Sequence, residues 1–138
     1  MPSSVDALRA LLRDLLGPER GTVTSIWLDA WSVGRRNAAL AREVAVQMDA
    51  WQKFLVSVLN RGCAGGEFVV ADTGTLAWQL LAIIDGLDAH AVVRHGDLRD
   101  QRDQRDLVCT IAEHELGLHA GTLAQAYVSQ RGILRRRT

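Results

Sequence analysis

The residues of this chain best placed to do metal chemistry are His114-Glu115-Leu116-Gly117-Leu118-His119. The run looks at a glance like the zinc motif HExxH. That motif needs its histidines four apart, so that both imidazoles leave one face of a helix. Here they are five apart, which turns them about 140° from each other at 3.6 residues per turn. Glu115 and His119 are four apart and within reach of each other, but two ligands do not make a site. No metal and no cofactor are therefore expected. Nucleophile and phosphate-loop patterns are missing as well: the sequence holds no GxSxG, no GxxxxGK[ST] and no GxGxxG. Cys63 and Cys109 form no CxxC and read as reduced thiols packed as small hydrophobes. With no paired acid and base, the chain does not read as an enzyme.

The tryptophans are more informative, four of them in 138 residues. Trp27 and Trp31 are four apart and share one helical face. Trp51 sits with Met48 and Leu55 on a second helix, and Trp78 with Leu81 and Asp85 on a third. Packed side by side, these helices would aim large aromatic surfaces at a common interior. One account is an ordinary filled core. The other is an aromatic-walled cavity for a small molecule. Asp85 bears on both, because a carboxylate on such a face is costly to bury alone. It would accept hydrogen bonds from indoles, the simpler reading, or meet a cationic ligand held by cation–π contacts.

The elements that would position these residues are helices. Leu8, Leu11, Leu12, Leu15 and Leu16 recur at the helical period and predict a first helix over about Val5–Leu16, stopped at Gly17-Pro18. A second runs over about Thr22–Arg36 with Val23, Ile26, Trp27, Ala30 and Trp31 as its apolar stripe. Asn37 is a good N-cap for a third, about Ala38–Arg61, ended by Gly62 and Gly65-Gly66. Its broad apolar face holds Leu40, Val44, Met48, Trp51, Leu55, Val58 and Leu59. A connector follows, burying Phe68. Asp72 or Thr73 caps a fourth helix, about Gly74–Arg94, which is apolar nearly all round and must be covered all round. The charged stretch His95–Asp106 reads as a solvated loop leading into a fifth helix, about Arg102–His119. A further turn or two of helix is expected over Leu123–Val128, within a tail, 122–138, expected to fray. Strand signals are nearly absent, so the expected fold is all-α, an antiparallel bundle of five to six helices in one domain spanning residues 1–138.

Composition sets the outer bounds. Hydrophobic residues make up 48% and charged residues 23%, with 16 basic against 16 acidic side chains. A folded domain is expected, and not one that coats nucleic acid, whose phosphates demand a basic surface. Arg135-Arg136-Arg137 alone does not change that. No apolar run looks close to the roughly 20 residues that span a bilayer, and no signal peptide is visible at Met1-Pro2-Ser3-Ser4. A cytoplasmic protein without a membrane partner is expected.

Several segments carry a resemblance. Trp27-Leu28-Asp29-Ala30-Trp31, the break at Asn37-Ala38-Ala39-Leu40, the long helix to Gly62, Gly66-Glu67-Phe68, and Leu80-Leu81-Ala82-Ile83-Ile84-Asp85-Gly86-Leu87 resemble, in order and spacing, the C-terminal regulatory domain of TetR-family repressors. The BetI-like subgroup is nearest, over about Val5–Gly121. The resemblance implies a homodimeric transcriptional regulator whose C-terminal domain binds a small ligand among its central helices. It also implies that the last two long helices pair with a partner's. Here those are the fourth and fifth, carrying Leu80, Ile84, Leu87, Ala91, Leu107, Ile111 and Leu118. The ligand site would draw on Trp27, Trp31, Met48, Trp51, Leu55, Trp78, Leu81 and Asp85 and take a small apolar or aromatic molecule, with a cation as the sharper case. In the family, ligand binding moves N-terminal helix-turn-helix domains and releases DNA. Nothing before Val5 could hold such a domain, so this chain is not expected to bind an operator alone. A proline usual in the family after the second helix is Ala38 here. The rival from another class is a ligand-free dimerisation module, a scaffold or dominant-negative partner with a fully packed interior.

Overall fold

In the computed structural model, which describes residues 2–17, 21–94 and 98–124, the regular elements among the described residues are all helices. They are α1 (Ser4–Leu15), α2 (Gly21–Gly34), α3 (Ala38–Ala64), α4 (Thr73–Val93) and α5 (Leu98–Leu116). The all-α expectation is met. The extra helix expected over Leu123–Val128 lies mostly outside the described residues; 120–124 form a turn.

Caps account for where the helices begin. Ser3, Asn37 and Asp72 precede α1, α3 and α4 in extended backbone, and each side chain accepts the amide N–H three residues on. Asp72 also accepts the Thr75 hydroxyl at 2.7 Å, and Asp6 that of Ser3 at 2.8 Å. These bonds, first among them that from Ser3, lower the Asp6 pKa; those from Thr75 lower the Asp72 pKa. Both carboxylates thus support the fold at neutral pH, and that support is lost only as pH falls through their lowered values, below the ordinary 3.8.

The helix ends differ from expectation at two places, for a shared reason. α3 runs through Gly62 and stops at Gly65, and α5 stops at Leu116, short of His119. Gly66 (φ 76°) and Gly117 (φ 69°) take the left-handed conformation just beyond. The next residues, Glu67 and Leu118, donate back to the carbonyls of Gly62 (2.8 Å) and Glu113 (2.9 Å). This is the Schellman geometry. Gly62 is not a stop. It is a buried helix-interior position whose missing side chain makes room for the Phe68 ring. α5 also starts earlier than expected, inside the charged stretch read as a loop. Arg99 and Asp103, and Arg102 and Asp106, stand four apart in sequence, a spacing at which opposite charges favour helix.

The core is lopsided. α2, α3 and α4 pack on one another, α1 packs on α3, and α5 on α4. The buried apolar cluster joins Leu8, Leu11, Leu12 and Leu15 of α1 to Leu55, Val58 and Leu59 from the second half of α3. Leu76, Ala77, Leu80 and Ile84 of α4, and Val108, Ala112 and Leu116 of α5, complete it with Phe68. Each fully buried leucine contributes about 1.5–3 kcal/mol. α2 and the first half of α3 contribute almost nothing to it: of the described α2 side chains only Thr24 is buried. Native-state hydrogen exchange should therefore find α2 amides opening well before those of α4 around Leu80. Equal protection of the two would contradict this division.

The connector ties the helix ends together. Glu67 Oε2 accepts the Ser4 N–H at 2.8 Å, capping α1 from across the fold. The Val69 N–H donates to the Leu116 carbonyl at 2.9 Å. Arg9, held by Asp6 at 2.9 Å, donates through Nε to the Thr122 carbonyl at 2.8 Å.

One expectation about length needs correcting. α4 has 21 residues and a mean hydropathy of 1.4 over its most apolar window, long and apolar enough to cross a membrane by length and composition. The sequence disguises this because Asp85, Asp88 and His90 interrupt the apolar run. In the fold α4 packs against α2, α3 and α5.

Candidate ligand cavity

Where the core stops, a hollow of about 320 Å³ begins between α2, α3 and α4. α2 supplies Thr24, Trp27, Leu28 and Trp31, positions that repeat at three and four residues and so share one face. α3 supplies Met48, Asp49, Trp51 and Gln52, and α4 supplies Trp78, Leu81, Asp85 and Asp88. Leu15 of α1 reaches the same space. All four tryptophans of the chain therefore wall one cavity. Trp27, Trp31 and Trp51 are half-buried. Trp78 is 63% exposed and Met48 45% exposed, which places them at the rim. Trp51 meets Phe54 edge-on, with centroids 6.4 Å apart and planes at 82°, the arrangement favoured by ring quadrupoles.

Of the site residues proposed from sequence, Trp27, Trp31, Met48, Trp51, Trp78, Leu81 and Asp85 come together here. Leu55 does not. It shares a face with Trp51, but one helical turn further along, α3 has passed from the hollow into the solid core, where Leu55 is 2% exposed. The apolar stripe assigned to α2 is also turned. Val23 and Ile26 face outward, Ile26 with 63% exposure, and the inward stripe is Thr24, Trp27, Leu28 and Trp31. The indoles, common to both stripes, decide the rotation, and Thr24 turns inward with them, 7% exposed. Sequence reasoning missed Thr24, Leu28, Asp49, Gln52 and Asp88. Leu28 and Thr24 were legible from their spacing to the tryptophans, whereas Asp49 lies on the polar side of the third helix's sequence pattern and nothing in the sequence singled out Asp88.

The polar complement of the wall is small. Among the described lining residues there are three carboxylates, Asp49, Asp85 and Asp88, and no basic side chain. Asp85 and Asp88 each have an interaction within the chain, as carboxylates on a half-buried apolar wall require. The Trp31 Nε1, by contrast, is shut away from solvent without a hydrogen-bond partner.

The run from His114 to His119 forms no such assembly. His114 Nδ1 lies 3.6 Å from Glu115 on the surface, and His119 falls beyond the end of α5. Among the described residues no group of three or more His, Cys, Asp or Glu side chains is placed to hold a metal. A second hollow, lined in part by Asp106, Cys109, Thr110 and Glu113, runs along α5. Glu113 is buried there and accepts the Leu123 N–H at 2.8 Å. Burial, with the nearby Glu113 and Asp106 charges, pushes the Cys109 thiol up to about 11. Cys109 should accordingly resist a disulfide reagent at pH 8 in the folded protein and react only on unfolding. Modification of Cys109 as fast as a free thiol would contradict its placement.

The residues assigned to the partner-facing side of α4 and α5 divide. Leu80 is fully buried and Ile84 is 2% exposed, both inside the chain's own core, where they join the apolar cluster shared with α1, α3 and α5. That corrects their assignment to an interface. Leu87, Ala91, Ile111 and Leu118 are half-buried, and Leu107 is 48% exposed.

An all-helical bundle with a hollow among its central helices, apart from the core that carries its stability, is the class this chain presents. The family described as the BetI-type transcriptional repressor C-terminal domain matches residues 4–117. The chain belongs to that family, a family of TetR-type transcriptional regulators and not of enzymes. No curated protein and no solved structure gives a match.

Proposed function

We propose that this domain senses a small, largely apolar or aromatic molecule in the tryptophan-walled cavity and passes the result to a DNA-binding domain carried elsewhere. The observation that carries the reading is the convergence of all four tryptophans on one hollow of about 320 Å³, within the size range of ligand sites, roughly 300–1,000 Å³. A ligand-free dimerisation module would have no reason to leave that space unfilled. Asp49, exposed at the rim among indole faces, would suit a cationic centre on the ligand. Leu15 supports a route outward: it sits at the cavity while the other end of α1 is held by Glu67 and by the Arg9 bond to Thr122. A ligand pressing on Leu15 would tilt α1 about that fixed end.

The same reading makes the domain a cytoplasmic homodimer. Leu87, Ala91, Leu107 and Ile111 on the adjacent α4 and α5, with Leu118 just past the end of α5, leave apolar surface, which a second copy would cover.

A thermal-denaturation panel of neutral and cationic aromatic molecules tests the sensing role. A ligand that binds only the folded state stabilises it by about 2.7 kcal/mol at 100 times its Kd, so at least one class should raise Tm by several degrees. A panel that leaves Tm unchanged throughout would count against the cavity as a ligand site.

A further inference from the structure

We infer that the molecule taken by the cavity carries a hydrogen-bond acceptor that pairs with the indole N–H of Trp31. The inference rests on the cavity being a ligand site. Indole N–H groups inside proteins are normally paired. The Trp31 Nε1 is buried and unpaired, and Trp31 is one of the residues that line the cavity. None of the described residues supplies the acceptor: Thr24, Asp49 and Gln52 belong to the same wall, yet none of them reaches it. An unpaired donor is costly to bury, so the protein gains most from an occupant that brings the acceptor with it. A pure hydrocarbon would fill the space and leave the N–H as it stands. A carbonyl, ether or ring nitrogen of the same size would engage it after a small tilt of the ring. A site with a buried donor of this kind discriminates strongly against analogues lacking the matching group. Trp31 is thus assigned as the residue that sets ligand polarity, while the other indoles supply apolar contact.

The experiment compares benzophenone with diphenylmethane, which differ by a carbonyl in place of a methylene, on the full chain and on Trp31→Phe. Calorimetry should show benzophenone bound about tenfold more tightly by the wild type, with that ratio falling toward one in the variant. Loss of general packing in the variant affects both probes and cancels in the ratio. A second readout needs no variant: the Trp31 Nε1–H proton resonance should move downfield with benzophenone and stay in place with diphenylmethane. Equal affinity for the two probes overturns the inference while leaving the cavity as a ligand site. So does a preference that survives in Trp31→Phe. So does an indole proton already hydrogen-bonded before any probe is added. Binding of neither probe to the folded protein counts against the site itself, and the inference falls with it.

Discussion

Gly62→Ala is expected to destabilise the domain by about 2 kcal/mol, although the same change in an open helix would stabilise it. Alanine is favoured over glycine in a helix interior by about 1 kcal/mol. Against that, a Cβ at position 62 would stand 2.0 Å from Cδ2 and 2.4 Å from Cε2 of Phe68, far inside contact distance. Phe68 is itself buried at 3% exposure and lies where the connector is bonded to the ends of α1 and α5, so the ring cannot retreat freely. Overpacking of this kind costs about 1–3 kcal/mol and occasionally more, and the steric term wins. Gly86→Ala is the control, since a Cβ there meets nothing within 4 Å and should stabilise by about 0.5–1 kcal/mol. Urea unfolding of both variants checks the pair. A Gly62→Ala protein as stable as Gly86→Ala would refute the packing of the Gly66-Glu67-Phe68 turn.

Leu81→Trp should separate binding from folding. Leu81 is half-buried on the cavity wall, so a larger ring there enters existing space. The expected result is a loss of ligand affinity of at least tenfold, with unfolding free energy changed by about 1 kcal/mol or less, because a side chain that fills a void strains little. Ser57→Trp, on an exposed position of α3 outside the cavity lining, should leave affinity unchanged. Calorimetry with the panel molecule that raises Tm most, alongside urea unfolding, measures both quantities. Undiminished binding by Leu81→Trp would place the ligand somewhere else.

How much of this was legible in the residues depends on what decides each feature. Caps are local: Asn37 announced α3, and of the two candidates for α4, Asp72 and Thr73, the structure takes Asp72. The α1 leucines announced a buried stripe for the same reason, a period of 3.6 with no competing pattern. Gly62 was misread because glycine has two uses, and only the tertiary position of Phe68 distinguishes room for a ring from a helix stop. The rotation of α2 was ambiguous because Val23 and Ile26 are as apolar as the residues that actually face inward. The cavity's tryptophans were readable as a set, but its boundary was not: Trp51 and Leu55 look alike in sequence and fall on opposite sides of the line between hollow and core. That line is set by the packing of α1 against the second half of α3, which no local pattern records.

Indole emission measures the central claim most directly, since every tryptophan of the chain borders the same hollow. On titration with neutral and cationic aromatic molecules, the account predicts saturable quenching or a spectral shift, with one site per chain. A protein shown to be folded by circular dichroism, whose emission stays unchanged across the whole panel, would contradict it.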